Sequence, residues 1–267
     1  IVLGSMPFWE GMFEINTPFR LLDLANPNNE LLRRLMLEAP GTYHHSLIVA
    51  NLAEAAAYDI NANTAMVRAG AYYHDIGKLG YPLYFSENQA GDNVHDSMQP
   101  SNSARIIIQH VTLGLELAQK YRLPKIIKDI IVQHHGTTLV KYFYYKAIKL
   151  NSKENVNEED FRYPGPSPET KEAAIVMLAD TVEAAVRSNI SGGKNLDEIE
   201  ELINVLVKDK LDDGQLNNCN ITFSDITKIK KAFLRVFKGM YHDRIAYPKE
   251  ALNTSEINKT EENKWQF

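Results

Sequence analysis

Tyr72-Tyr73-His74-Asp75-Ile76-Gly77-Lys78 sets an imidazole beside a carboxylate, directly after the small-residue run Arg68-Ala69-Gly70-Ala71. Small residues let a helix pack closely, so this stretch reads as a helix that carries two metal-binding side chains inward and ends at Gly77. A His-Asp pair alone occurs by chance on many helices, and its meaning comes from the rest of the chain. His45 lies 29 residues before His74, His110 lies 35 after Asp75, and His134-His135 and Asp180 follow. Neutral imidazoles and carboxylates suit Fe, Mn, Zn, Co or Ni. Each residue taken singly has a structural explanation: His45 at a helix start, His110 as a satisfied core histidine, His134-His135 at a helix C-terminus where cations are favoured. Asp180, within the mainly apolar stretch Ala173 to Ala185, is harder to explain without a cation, because a buried carboxylate needs a partner. Taken as a set, the residues point to a metal centre.

Outward from that stretch, helical spacing governs the whole chain. Leu31, Leu32, Leu35 and Met36 share one face of a helix from about Asn29 to Glu38, which Pro40-Gly41 stops. A second helix runs from about Thr42 to Tyr58, with Leu47, Ile48, Ala50, Leu52, Ala53 and Ala56 at helical spacing. After the segment with His74-Asp75, a loop over 79–100 contains Pro82, Gly91 and Pro100, and its length suggests function. Within it, Glu87-Asn88-Gln89 and His95 are candidates to close over a ligand. Further helices are expected over 101–121, from Pro124 to His134-His135, from Glu169 to Ser188 with a stop at Gly192-Gly193, and over 195–210 and 224–243. Residues 137–150 carry the aromatics Tyr142 to Tyr145, for which core packing is the first expectation. Residues 151–168 are polar and rich in Pro and Gly, the composition of an irregular or mobile excursion. With no alternating strand pattern, repeat or Gly-rich phosphate loop, the fold class is all-α.

Composition narrows the function. The chain has 267 residues, 44% hydrophobic and 24% charged, enough for a substantial core. A net charge of -5 argues against duplex nucleic acid as a partner. One cysteine, Cys219, excludes an internal disulfide and fits a reducing compartment. No stretch approaches the ~20 apolar residues that span a bilayer. The opening Ile1-Val2-Leu3-Gly4-Ser5-Met6 reads as a piece cut from a longer protein, either just after a membrane segment or with a tag remnant at Gly4-Ser5-Met6.

The pattern His45, His74-Asp75, His110, His134-His135, Asp180 resembles the binuclear members of the HD-domain phosphohydrolases. Ala39-Pro40-Gly41-Thr42-Tyr43-His44-His45-Ser46, Glu87-Asn88-Gln89, Gln133-His134-His135-Gly136-Thr137-Thr138 and Phe161-Arg162-Tyr163-Pro164-Gly165-Pro166 are similar to the cytosolic domain of the seven-transmembrane HD receptors. That likeness covers roughly residues 7–248. It implies an HD-domain helical bundle over 28–248 with a buried binuclear site, preceded by a lead-in strap over 1–27 after a membrane segment and followed by a polar tail over 249–267. It further implies a cyclic dinucleotide substrate, cyclic di-AMP, opened to linear pApA at the cytoplasmic face of a bacterial membrane. Cyclic di-GMP turnover, and a cyclic-dinucleotide sensor without hydrolysis, are the alternatives. Gly80-Tyr81-Pro82 spells the tripeptide of the HD-GYP group but sits beside His74-Asp75 rather than after the paired histidines, where Gly136-Thr137-Thr138 stands.

By the same resemblance, His45, His74, Asp75 and Asp180 hold one divalent metal, iron or manganese. Asp75, His110, His134 and His135 hold a second, with Asp75 bridging. Two metals ~3.5–4 Å apart lower the pKa of a shared water enough to supply hydroxide at neutral pH, and that hydroxide attacks phosphorus. Lys78 is assigned to a phosphate oxygen as a point charge and ranks with Asp75 as catalytic. Arg187, seven residues after Asp180, is assigned to the second phosphate. A homodimer is an option the sequence leaves open.

Overall fold

A computed structural model of the chain describes residues 18–89, 91, 93–151, 153–189 and 196–241. Ten α-helices follow one another among the described residues. They are α1 (Pro18–Leu24), α2 (Glu30–Glu38), α3 (Pro40–Asp59), α4 (Thr64–Tyr73), α5 (Pro100–Lys120), α6 (Lys125–Gln133), α7 (Lys141–Asn151), α8 (Lys171–Asn189), α9 (Leu196–Asp212) and α10 (Phe223–Met240). The described residues form no strand, only an isolated bridge between Leu139 and Arg162. None of the described helices is long and apolar enough to cross a membrane.

Helix starts follow local chemistry. The Asn29 and Asn63 side chains accept from the amides of Leu31 and Met66 at α2 and α4. Thr222 and Asp225 form a reciprocal capping box on α10. Pro40 does more than stop α2. Its missing N–H is no loss at the first position of a helix, so it opens α3 directly after Ala39, two residues before the expected start.

Helix α3 is the centre of the bundle. It packs against α4, α8 and α10, and Val49, Ala50, Leu52, Ala53, Ala56 and Ala57 are all solvent-free. Helix α8 is as deeply enclosed, with Ala173 through Ala179 buried without interruption. A helix apolar on every side belongs in the interior, and the alanines let its neighbours approach. A smaller cluster of Ala104, Phe143, Tyr144, Ala147 and Phe161 ties α7 to α5.

Three expectations change. The helix through His74-Asp75 ends at Tyr73, not Gly77; His74 keeps α geometry, Asp75 leaves it at φ -107°, ψ 13°, and a 3-10 turn runs over Ile76–Gly80. Side chains of adjacent helical residues diverge, so His74 and Asp75 on one continuous helix would not face the same point. Second, core packing holds for only half of the aromatics on α7: Phe143 and Tyr144 are buried, whereas Tyr142 and Tyr145 are 63% and 55% exposed. Third, residues 153–163 are irregular but pinned: Val140 N–H donates to Phe161 O at 2.8 Å and Tyr163 N–H to Thr138 O at 3.0 Å. The strap over 1–17, the Gly192-Gly193 stop and the tail over 249–267 lie outside the described residues.

Gly77 sets how closely the turn meets α5. A Cβ there would sit 1.8 Å from the His110 carbonyl oxygen and 2.4 Å from the Gly114 nitrogen. Backbone atoms cannot swing aside, so Gly77→Ala should destabilise the fold by about 3 kcal/mol, the upper end of overpacking costs. Thermal unfolding should then show Tm lower by roughly 6–12 °C; an unchanged Tm would mean that the turn and α5 separate easily enough to admit a methyl group.

Candidate metal centre and its cavity

Five elements deliver the seven candidate ligands to one place. His45 comes from the second turn of α3, His74 and Asp75 from the break after α4, His110 from α5, His134 and His135 from the end of α6, and Asp180 from the middle of α8. Their atoms form two groups, His45-His74-Asp75-Asp180 and Asp75-His110-His134-His135, each with ligand atoms within 4.8 Å of one another. Asp75 belongs to both. Its Oδ2 lies 3.2 Å from His74 Nε2 and 3.5 Å from His45 Nε2, while Oδ1 lies 3.3 Å from His110 Nε2 and 3.7 Å from His134 Nε2. Asp180 Oδ1 approaches His45 Nε2 at 3.0 Å, and its Oδ2 lies 3.7 Å from His135 Nδ1.

The rings are oriented from behind. The Nδ1–H groups of His74, His110 and His134 donate to the carbonyls of Ala71, Ile107 and Ile131, each three residues back, at 2.7, 2.5 and 2.7 Å. A carbonyl only accepts, which fixes the proton on Nδ1 and leaves Nε2 as the ligand atom. His45 Nδ1 instead meets the Glu183 carboxylate. Glu183 is absent from the candidate set although it lies in the same stretch as Asp180, three residues on and therefore on the same face of α8.

Whether these residues fit a metal is decided by what they lack. His45 Nε2, His74 Nε2 and Asp75 Oδ1 are buried without a hydrogen-bond partner. The Nε2 atoms of His110 and His134 stand 3.3 Å apart, each with its proton committed to Nδ1. Two lone pairs face each other there with nothing to donate between them. Buried polar atoms left without a partner are costly, and a divalent cation, taken up as the rings give up any extra proton, would satisfy all of them together. The cluster can hold divalent metal.

Electrostatics divide the centre. Burial opposes the charge on Asp75, but His74 and Lys78 outweigh it and hold its carboxyl well below the usual range. Asp180 is likewise held low, burial being overcome by His45 and His74. Burial also opposes a proton on His74, yet Asp75 and Asp180 raise its pKa to about 10. His45 is raised against burial by Asp180 and Glu183. In the other group burial prevails: His134, with His74 adding repulsion, falls to about 3, and His110 and His135 are also lowered.

The two other candidates sit at the rim of the centre. Lys78 Nζ is 2.7 Å from Asp75 Oδ2 and 2.7 Å from Glu87 Oε1, so its charge is already shared by two carboxylates. Arg187 Nε donates to Glu183 Oε1 at 3.2 Å. Of the long loop, Glu87 reaches the centre and Asn88 ties it to α3, with Thr42 N–H donating to Asn88 Oδ1 at 3.1 Å. His95 does not close over the centre. It is buried against Tyr84 and Phe143 and donates through Nε2 to Tyr84 O at 2.8 Å. Tyr163, a further residue that the sequence reading leaves without a role, stacks on the His135 ring at 4.2 Å. Gly80-Tyr81-Pro82 stays on the surface, with Tyr81 48% exposed. A cavity of about 700 Å³ opens onto the centre, lined by His45, Lys78, His110, His135, Asp180 and Arg187 among others. That volume suits a ligand of drug or dinucleotide size.

The fold is shared with known proteins. A family model described as HD domain matches residues 42–185. The cyclic-di-AMP phosphodiesterase PgpH of Bacillus subtilis (strain 168) is 49% identical over 249 residues, covering 93% of this chain and 34% of that protein. PgpH of Listeria monocytogenes is 48% identical over 247 residues, covering 92% and 34%. The chain thus spans about a third of the length of these relatives. The crystal structure of the L. monocytogenes PgpH HD domain in complex with cyclic-di-AMP superposes with TM-score 0.77 at 48% identity, over 81% of this chain and 100% of that one.

The charge division has a measurable consequence. Metal ligands bind as neutral imidazoles, so any proton held by the empty site must leave. His74, its pKa raised to about 10, holds its extra proton at neutral pH; His110, His134 and His135, lowered, do not. Calorimetric titration of the metal-stripped chain with Mn²⁺ near pH 7.5, in buffers of different ionisation enthalpy, should therefore show net proton release. Affinity should rise with pH as the His74 proton becomes easier to lose. No buffer dependence would show that the metal-stripped chain already holds the His74 ring neutral.

Proposed function

Because the chain belongs to the HD-domain family, we propose that it is a metal-dependent phosphodiesterase that opens cyclic di-AMP to linear pApA. The observation that carries the reading is Asp75, shared by two ligand groups whose members His45, His110, His135 and Asp180 line a cavity of about 700 Å³. The names of the relatives and the cyclic-di-AMP complex of the L. monocytogenes domain support the choice of adenine.

In this proposal His45, His74, Asp75 and Asp180 hold one divalent ion and Asp75, His110, His134 and His135 the second, with iron or manganese as the ions. Such a pair, when bound, activates water as a nucleophile and neutralises charge on the phosphate in the transition state. The chain's own residues do the rest. Carbonyls and Glu183 hold the rings so that Nε2 of His45, His74, His110 and His134 faces inward. Lys78 keeps Asp75 ionised and spends two of its three N–H donors on carboxylates, which leaves one for a phosphate oxygen. Arg187 lines the same cavity and, in this reading, meets the second phosphate through its terminal nitrogens. Resemblance to seven-transmembrane receptors extends the proposal to a longer, membrane-embedded protein with this domain at the cytoplasmic face.

The test is turnover of cyclic di-AMP beside cyclic di-GMP by protein of measured metal content. The expected outcome is pApA from cyclic di-AMP, abolished by chelator and restored by Mn²⁺. Asp75→Ala should lower kcat at least about 10²-fold, the loss that accompanies removal of one strong transition-state stabiliser. Preferred turnover of cyclic di-GMP would overturn the substrate assignment, and tight binding without turnover by metal-loaded protein would make this a sensor domain.

A further inference from the structure

Glu183 is a buried carboxylate that the ligand set does not include. Its side chain is 2% exposed, and it sits one turn beyond Asp180 on α8. Oε2 meets His45 Nδ1, and Oε1 accepts from Arg187 Nε at 3.2 Å. His45 therefore differs from His74, His110 and His134, whose Nδ1–H groups are satisfied by neutral carbonyls. A carboxylate behind an imidazole fixes its tautomer and makes the opposite nitrogen a stronger donor. A carboxylate this buried also needs a counter-charge of its own when His45 is neutral. Arg187, 37% exposed at the side chain, is the cation in contact with it.

We propose that Glu183 is a positioning residue for His45, and that Arg187 anchors the Glu183 carboxylate through their ion pair, so that the two tune the His45-His74-Asp75-Asp180 group without contributing a ligand to it. The inference rests on the metal reading above and concerns only one of the two groups. The other group, Asp75-His110-His134-His135, has no carboxylate behind His110 or His134. A role limited to packing α8 on α3 would instead affect both groups together.

The experiment is titration of Mn²⁺ alone into the metal-stripped 267-residue chain, with free Mn²⁺ followed by electron paramagnetic resonance. Glu183→Gln keeps size and shape and removes the charge. It should weaken one of the two bound ions by about 10- to 100-fold, the range found for carboxylates behind metal-bound histidines, and leave the other unchanged. Arg187→Gln should weaken the same ion, and Arg187→Lys, which retains the charge, should recover part of the loss. Unsubstituted affinity at both positions in Glu183→Gln would overturn the proposal. Equal weakening of both ions would also overturn it and leave Glu183 as a packing residue. If the unsubstituted chain binds no Mn²⁺, the metal reading itself fails and this inference falls with it.

Discussion

The Asp75 carboxylate is held in the interior with Lys78 and four imidazoles around it, and the rest of the structure depends on how that charge is satisfied. Its side chain is 1% exposed. A lone charge in that position is strongly unfavourable, and it is tolerated only because its surroundings bring opposite charge and hydrogen-bond donors. Those surroundings come from α3, α5, α6 and the turn after α4. Moving any one of these elements leaves a buried carboxylate or imidazole without its partner. The charge at the centre therefore specifies the mutual position of the helices as well as the chemistry.

An apolar frame makes such a centre sustainable. Helices α3 and α8 are alanine-rich and largely buried, and they meet in the core immediately beside the site. Each fully buried leucine or isoleucine of the surrounding core contributes about 1.5–3 kcal/mol relative to exposure, and the cluster contains many. The frame thus offsets a group of orphaned nitrogen and oxygen atoms that would be unfavourable in a small domain. Functional sites commonly break local rules in this way, with the stabilising interactions located elsewhere.

Charge is distributed unevenly across the centre. On the His45 and His74 side, acidic neighbours outweigh burial and favour protons; on the His134 and His135 side, burial and neighbouring imidazoles exclude them. Lys78 and Glu87 extend the ionic network to the long loop, and Asn88 and Thr42 hold that loop to the start of α3. The loop is therefore structural support for the centre at one end, while His95 anchors its other end against α7. Arg187 and Glu183 make the corresponding connection on α8.

Much of this was legible in the residues. Helical periodicity, Pro and Asn at helix starts and the absence of strand alternation determined an all-α fold, because those signals are local and depend on neighbours within one or two turns. Seven His and Asp residues in mainly apolar segments marked the candidate centre, because such groups have few other reasons to be buried. Tertiary structure decided what local signals do not contain. The chain leaves the helix at Asp75 because two adjacent side chains must face one point. Lys78 pairs with Asp75 and Glu87 because a loop nine residues further on folds back over it. Glu183 stands behind His45 because α8 crosses α3 at that level, a contact spanning 138 residues. Spacing along a chain predicts which side chains share a face, whereas distances between faces arise only when the helices pack.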